Sequence, residues 1–467
     1  MATPNTHFGA KKIGEYLEKC KKVFFIGIGG VNMSSLALIT KERGFEVAGS
    51  DRESTAVTRH IEENSIKVWY SHSAEHIEGF DALVYTVAIS PDNPEYTAAQ
   101  EAGIMCISRA DYLGYIMTGY KNRIGVSGMH GKSTCTSMCA QVFMDADVDP
   151  TVLSGAELPS MGGAFRIGEK EHFIFEACEY MDSFLDFNPT IAIVLNIERD
   201  HVDYFHSMAQ IYESYAKFTA ITGDNGYAVM NIDDANVVAA LSDYAGTKIT
   251  FSTKNRNADL FADNITYKNG KASFDILRDQ ELMCKVSLSV PGEHNIYNAL
   301  AAAAAATLCS IPPDKIAVGL RNFTGAVRRT EYKGKINGAD IYDDYGHHPT
   351  EVKTTLKGLR NMGYKKITCV FQPHTYTRTK ELFDGFAEAL QEADTAVIYK
   401  IYPARETDTL GVSSEMLAER IGEEKGVYLG SFSEISEYIK ENARDGEAVM
   451  IMGAGDICSL FDCLNFD

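Results

Sequence analysis

The sequence predicts an α/β protein of three domains, and three observations carry that prediction. Its 467 residues suit about three domains of ordinary size. Apolar strand-like runs alternate with helical runs in the first, middle and last parts of the chain. Two glycine-rich stretches, "GIGGVNMSS" at 27–35 and "GVSGMHGKST" at 125–134, stand where a strand-like run gives way to a helical one. The expected arrangement is a Rossmann-like N-terminal domain over 1–120, a central P-loop ATPase-type α/β domain over 121–327 and a Rossmann-like C-terminal domain over 328–467.

In order, "KVFFIGIGG" reads as a strand entering a glycine turn, and "VNMSSLALITKERG" as a helix ended by Gly44. "FEVAGSD", "IKVWY" and "DALVYTVAI" continue a βαβ series, which implies a parallel sheet covered by helices. After "DYLGYIMTGYKNR" a fresh strand enters the second glycine loop, and "CTSMCAQVFMDA" beyond it reads as an amphipathic helix. "HFIFEAC" and "TIAIVLN" are buried strands. Residues 258–290, polar and turn-rich, are short antiparallel strands on one side, and "NIYNALAAAAAATLC" is a strong helix. "ADIYDDY", "KKITCVF", "DTAVIY", "GVYLG" and "EAVMIMGAGD" are the strands of the last domain.

The formal net charge is −20, without a block rich in Lys or Arg. That argues against nucleic acid or an anionic membrane as partner. Ten cysteines lie without C-x-x-C pairs, as expected of reduced thiols serving as small core residues. "MATPNTHFGAKKIGEYLEKC" lacks a hydrophobic signal region and no run of 18 apolar residues occurs, so a cytoplasmic protein is expected.

The second glycine loop is a variant phosphate loop, G-x-x-G-x-x-G-K-S, with Gly128, Met129, His130 and Gly131 leading into Lys132, Ser133 and Thr134. Backbone N–H groups and the helix dipole there favour an anion. Lys132 adds a mobile positive charge and Ser133 a hydroxyl suited to Mg2+. Glu176, at the end of a hydrophobic strand, is a candidate Mg2+ ligand. His201, among Glu198, Asp200 and Asp203 after the next strand, would share that rim. Arg328 and Arg329 are candidates to cover transferring phosphates. Asp344 and His347 lie past a strand of the third domain. His374 and Arg378 follow another, with Arg378 a carboxylate clamp. The first glycine stretch departs from the dinucleotide fingerprint at Asn32. Asp51, 22 residues after Gly29, holds the place of a ribose-binding acid.

With "FEACEYMDSF", "NIERDHVDYF", "GEHNIYNALAAAAA", "RRTEY", "DDYGHHPTEV" and "FQPHTYTRT" in order beside the two loops, the chain resembles the Mur ligases along nearly its whole length. The resemblance implies an ATP-dependent ligase that joins L-alanine to the lactyl carboxylate of UDP-N-acetylmuramate through an acyl phosphate, in peptidoglycan precursor synthesis. It implies ATP and Mg2+ as cofactors, two ions with Mn2+ a substitute, and a monomer or homodimer. Lys132 would contact the β- and γ-phosphates and Ser133 one Mg2+, with Glu176 and His201 on the second. His294, Asn295 and Asn298 would lie near the adenine, Arg329 at the γ-phosphate and Asp344 at the ribose. Tyr345, His347, His374 and Arg378 would form the alanine site. Gly29, Gly30, Ser50, Asp51 and Arg109 would face the UDP part. His347 or bulk water would take the proton of the amine. Other members use a carbamylated lysine; Lys217 has a loosely similar spacing and receives no role. Thr375 stands where many relatives carry Arg. The alternatives are a ligase attaching a preformed tripeptide in wall recycling, a nicotinamide-dependent dehydrogenase and a non-catalytic nucleotide switch.

Overall fold

The computed structural model describes residues 3–201, 204–404, 406–407 and 409–467. Its strands form three sheets, one in each part of the chain.

The first sheet has five parallel strands in the spatial order Lys67–Trp69, Glu46–Ser50, Lys22–Ile26, Ala82–Tyr85 and Met105–Ser108. Its central run is apolar from Val23 to Ile26 because both faces are covered. Val23 and Phe25 pack with Leu36 and Ile116 on one side, Phe24 and Ile26 with Ile77 and Leu83 on the other. The strand order reverses beside Lys22–Ile26, which places Gly27–Gly30 at the topological switch point.

The second sheet has ten strands. Its parallel centre runs Leu260–Lys268, Thr247–Ser252, Tyr227–Asn231, Ile191–Val194, Asn122–Ser127, His172–Glu176 and Thr151–Leu158. Lys271–Arg278 and Glu281–Pro291 extend one edge in antiparallel fashion, and Gly163–Arg166 the other. The third sheet has Glu331–Ile336, Ala339–Asp344, Ala448–Met452, Ile367–Phe371, Thr395–Ile398 and Gly426–Tyr428 in that order, the first antiparallel to its neighbour and the rest parallel.

Two elements differ from their sequence reading. Residues 258–290, expected as short antiparallel strands, form strands of nine, eight and eleven residues, and Leu260–Lys268 pairs in parallel with Thr247–Ser252. The helix Lys132–Asp145 is buried around most of its circumference rather than amphipathic. Cys135, Thr136, Met138, Cys139, Val142 and Phe143 are all inaccessible, because the helices His294–Leu308 and Pro313–Asn322 both lie against it. Its serines and threonines gave the sequence a polar stripe that the fold buries.

The helix Arg109–Met117 packs on the 3-10 segment Tyr180–Asp186 and so joins the first layer to the second. Gly114 makes this approach possible, since a Cβ there would collide with the Asp186 carbonyl oxygen. Gly114→Ala is expected to cost about 2 kcal/mol, as overpacking against an unyielding backbone does, seen as a lowered melting temperature. An unchanged melting temperature would mean that this seam is not rigid.

Candidate functional site

Three glycine-loop features build the nucleotide end of the site. The strand Asn122–Ser127 stops at Gly128, and Gly131 caps the following helix in the left-handed region with φ 84°, which glycine adopts without strain. A side chain at Gly131 would also meet Asn298 Oδ1 at 2.8 Å. Asn196 braces the loop: it accepts the His130 N–H at 2.8 Å and donates to the His130 carbonyl at 2.9 Å. The helix amides therefore stay open toward an anion.

Beside the loop lies a cavity of about 560 Å³, bounded by His130, Gly131, Asn295, Asn298, Arg329 and Asp344 among others. Thr134 and His294 also reach it. Arg329 donates from Nη2 to Ser133 Oγ at 3.1 Å, while its Nε is buried without a partner among the described residues. His294 Nδ1 is likewise buried and unpaired, and burial lowers the pKa of that imidazole to about 4. The Asp344 carboxylate accepts from the N–H groups of Thr330 and Gly346, each at 2.7 Å.

Lys132 turns away from this cavity. Its Nζ donates to the Gly128 carbonyl at 2.6 Å and to both oxygens of Glu179 at 3.1 Å. Burial pushes the ammonium pKa down, and the Glu179 charge more than reverses this. Glu179 is wholly buried and its Oε1 also meets His201 Nε2 at 3.2 Å. Burial would raise its pKa, yet Lys132 and His201 hold it below the ordinary carboxylate value. Glu176 projects from the same strand end and accepts the Gly155 N–H at 2.6 Å.

Across the cleft, the Arg378 guanidinium donates from Nε and Nη2 to Asp200 Oδ1, at 3.3 and 3.1 Å. Its Nη1 lies 3.3 Å from His374 Nδ1. His347 and His374 face one another with ring centroids 5.8 Å apart, and Tyr345 stands 5.6 Å from His347. Burial lowers both imidazoles to about 4, so both are neutral near pH 7.

Residues 22–121 match the family model "Mur ligase family, catalytic domain", 126–306 "Mur ligase middle domain" and 328–455 "Mur ligase, glutamate ligase domain". The chain belongs to the Mur ligase family. Its relatives include the UDP-N-acetylmuramate–L-alanine ligase of Acetivibrio thermocellus, 46% identical over 442 residues that make up 94% of each chain. Another is the enzyme of that name from Clostridium novyi, 43% identical over 440 residues, 94% of this chain and 95% of the relative. The crystal structure of the UDP-N-acetylmuramate-alanine ligase from Thermotoga maritima is similar with a TM-score of 0.78 and 25% identity, covering 95% of this chain and 97% of that one. A murein peptide ligase from Psychrobacter arcticus shares the fold, with a TM-score of 0.69, 22% identity and coverage of 95% and 98%.

Within this Mur ligase, the carboxylate that touches both Lys132 and His201 is Glu179, which the sequence reading passed over in favour of Glu176 three residues earlier. Both stand in one short stretch after a strand, so position alone did not separate them. Asp203, read beside His201, lies outside the described residues. Asp51 accepts the Gly29 N–H at 2.8 Å, Ser50 donates to the buried Glu95 at 2.6 Å, and Glu95 also meets His72 and His76. Arg109 lies beside Asp186, whose pKa burial raises to about 6. Gly30 caps the start of the helix Val31–Glu42. Lys217 pairs with Glu213 on an exposed helix face.

The phosphate loop is also tied to the third sheet's layer. His130 meets Glu198 at 3.0 Å and Glu351 at 3.2 Å, and its ring lies against His348. The donor atoms of His130, Glu198 and His348 lie within 4.8 Å of one another. However, His348 Nδ1 accepts from the Thr350 N–H, which leaves the ring hydrogen on Nε2 and makes that atom a donor rather than a metal ligand. Burial pulls the His130 pKa down, but the two glutamates lift it to about 9. A folded pKa above the unfolded value of 6.5 means that its contribution is complete below pH 6.5 and lost as pH rises through 9. The gap in melting temperature between wild type and His130→Gln is therefore expected to shrink from pH 6.5 to above 9. A constant gap would show that His130 is not charged in the fold.

Proposed function

We propose that this Mur ligase joins L-alanine to the lactyl carboxylate of UDP-N-acetylmuramate with hydrolysis of ATP to ADP and phosphate. Two relatives of that name, each aligned over more than nine-tenths of its length, support the reading. The observation that carries it is one unbroken line of contacts from the phosphate loop to the far rim. Lys132 meets Glu179, Glu179 meets His201, and Asp200, next in the chain, meets Arg378.

The proposed division of labour gives 1–120 the UDP sugar, through Gly29, Gly30, Ser50, Asp51 and Arg109. Residues 121–327 hold ATP, and 328–467 the amino acid. Asn295, Asn298 and His294 border the adenine end and Asp344 the ribose. The donor set of Ser133, Glu176, Glu179 and His201 is rich in oxygen and fits Mg2+. Two such ions would neutralise the triphosphate and the carboxylate that approaches it. The unpaired cysteines fit a cytoplasmic enzyme, and no helix among the described residues is long and apolar enough to cross a membrane.

Carboxylate oxygen is a poor leaving group, so the lactyl carboxylate must be activated. Lys132 and Arg329 hold the γ-phosphoryl group while a carboxylate oxygen takes it, giving an acyl phosphate and ADP. The alanine amine attacks the acyl carbon, its proton leaves, and phosphate departs with the electrons of the C–O bond. The ammonium of alanine sheds one proton before attack and a second as the tetrahedral adduct collapses; because burial lowers His347 to about 4, water rather than this imidazole takes them.

Phosphate release with UDP-N-acetylmuramate, ATP and a panel of L-Ala, L-Ser, Gly and a tripeptide tests the reading. Turnover that needs the nucleotide sugar and is fastest with L-Ala is expected. A preference for the tripeptide would move the enzyme to wall recycling. Nicotinamide oxidation, or no phosphate release with any acceptor, would overturn the ligase reading.

A further inference from the structure

The alanine rim contains a buried ion pair whose two halves match the two halves of an amino acid. Arg378 and Asp200 are both largely buried, with 13% and 7% of their side chains exposed. Arg378 comes from the third layer and Asp200 from the second, so their pairing spans the cleft. An ordinary surface bridge would leave both groups in water. This one sits between His374, His347 and His201, in the line of contacts that leads to the phosphate loop.

Resting on the ligase reading above, we propose that Asp200 receives the ammonium group of the incoming amino acid while Arg378 receives its carboxylate. The ion pair then opens to admit a zwitterion whose charges are complementary to it. The guanidinium, now shared between Asp200 and His374, can turn Nη1 and Nη2 toward a carboxylate in the two-pronged geometry arginine favours. Asp200 is released at the same moment, and its free charge takes the ammonium. Asp200 Oδ1 also accepts the His201 N–H at 2.6 Å, but its side-chain partner Arg378 can leave, whereas three other acids of this rim are each held by two backbone N–H groups. Glu351 accepts the N–H groups of His347 and His348, Glu406 those of Tyr376 and Thr377, and Asp344 those of Thr330 and Gly346. Asp200 also precedes His201 in the chain, so an amine held there lies on the same rim as Glu179 and Lys132, where the acyl group would form.

The test separates the two charges of the amino acid. The KM for L-alanine and the inhibition constant of propionate, which keeps the carboxylate and lacks the amine, are measured for wild type and Asp200→Asn. Loss of a charge-assisted contact is expected to raise the KM for L-alanine about tenfold or more, while propionate inhibition holds or strengthens, because the carboxylate no longer has to displace Asp200 from Arg378. If both weaken by the same factor, Asp200 acts only by positioning Arg378 and the proposal fails. Should the Asn variant not fold, Asp200→Glu is read in the same way, since it keeps the charge but displaces it. If wild-type enzyme releases no phosphate with L-alanine, the ligase reading itself has failed, which the wild-type assay shows before any variant is compared.

Discussion

Lys132→Ala should lose ADP formation by about 10³-fold, the loss seen when a preorganised charge at a reacting centre is removed, while UDP-N-acetylmuramate still binds in calorimetry. Two anions, the lactyl carboxylate and the γ-phosphoryl group, must be brought together, and Lys132 is the cation at the start of the loop helix. Its Nζ meets Glu179 and two loop carbonyls. Its transfer from Glu179 to a phosphate exchanges one buried anion for another, so the move costs little desolvation. The substitution also leaves the wholly buried Glu179 with His201 as its remaining charged partner among the described residues. Uncompensated burial of that kind costs about 3–5 kcal/mol, so the melting temperature should fall too. Lys132→Arg, which keeps the charge, separates the two effects: the fold should recover and turnover should not. Turnover near wild type in Lys132→Ala would remove the phosphate-loop assignment.

His201→Ala should raise the Mg2+ concentration needed for half-maximal turnover by about 10–100-fold, the range found when the surroundings of a metal ligand are lost. The His201 backbone has φ 50°, a left-handed conformation uncommon outside glycine. Its N–H is held by Asp200 at 2.6 Å, so the imidazole is aimed at Glu179 rather than at solvent. Glu179→Gln and Glu176→Gln, measured in the same titration, distinguish the carboxylates. The contact with His201 predicts the larger shift for Glu179. An unchanged titration in His201→Ala would exclude it as a ligand.

The parts of this architecture that could be read from sequence were those with strong local signals. "KVFFI", "HFIFE" and "IAIV" are apolar except at the ends of the first two because they lie inside parallel sheets, and the alanine-rich helix 294–308 has no competing pattern. Thr151–Leu158 was not picked out, since Ser154 and Gly155 interrupt its run, nor was Tyr227–Asn231, whose apolar run is only three residues long; pairing with neighbours supplies what the local pattern lacks. The rim residues Tyr345, His347, His374 and Arg378 do meet, as their places after successive strands implied. Sequence did not single out Glu179 over Glu176, because the contact that distinguishes it is with Lys132, 47 residues away, and no local pattern encodes it. Asp200 was visible only as a neighbour of His201. Its partner Arg378 lies 178 residues away, and no local pattern encodes that contact.

The most direct test of the central claim is a crystal structure with a non-hydrolysable ATP analogue and Mg2+ bound. The β- and γ-phosphates should lie against the amides of 128–133 with Lys132 turned from Glu179 to meet them, and the divalent ion should contact Ser133 or His201 with a carboxylate from 176–179. A triphosphate bound elsewhere, or a divalent ion remote from both strand tips, would contradict the account.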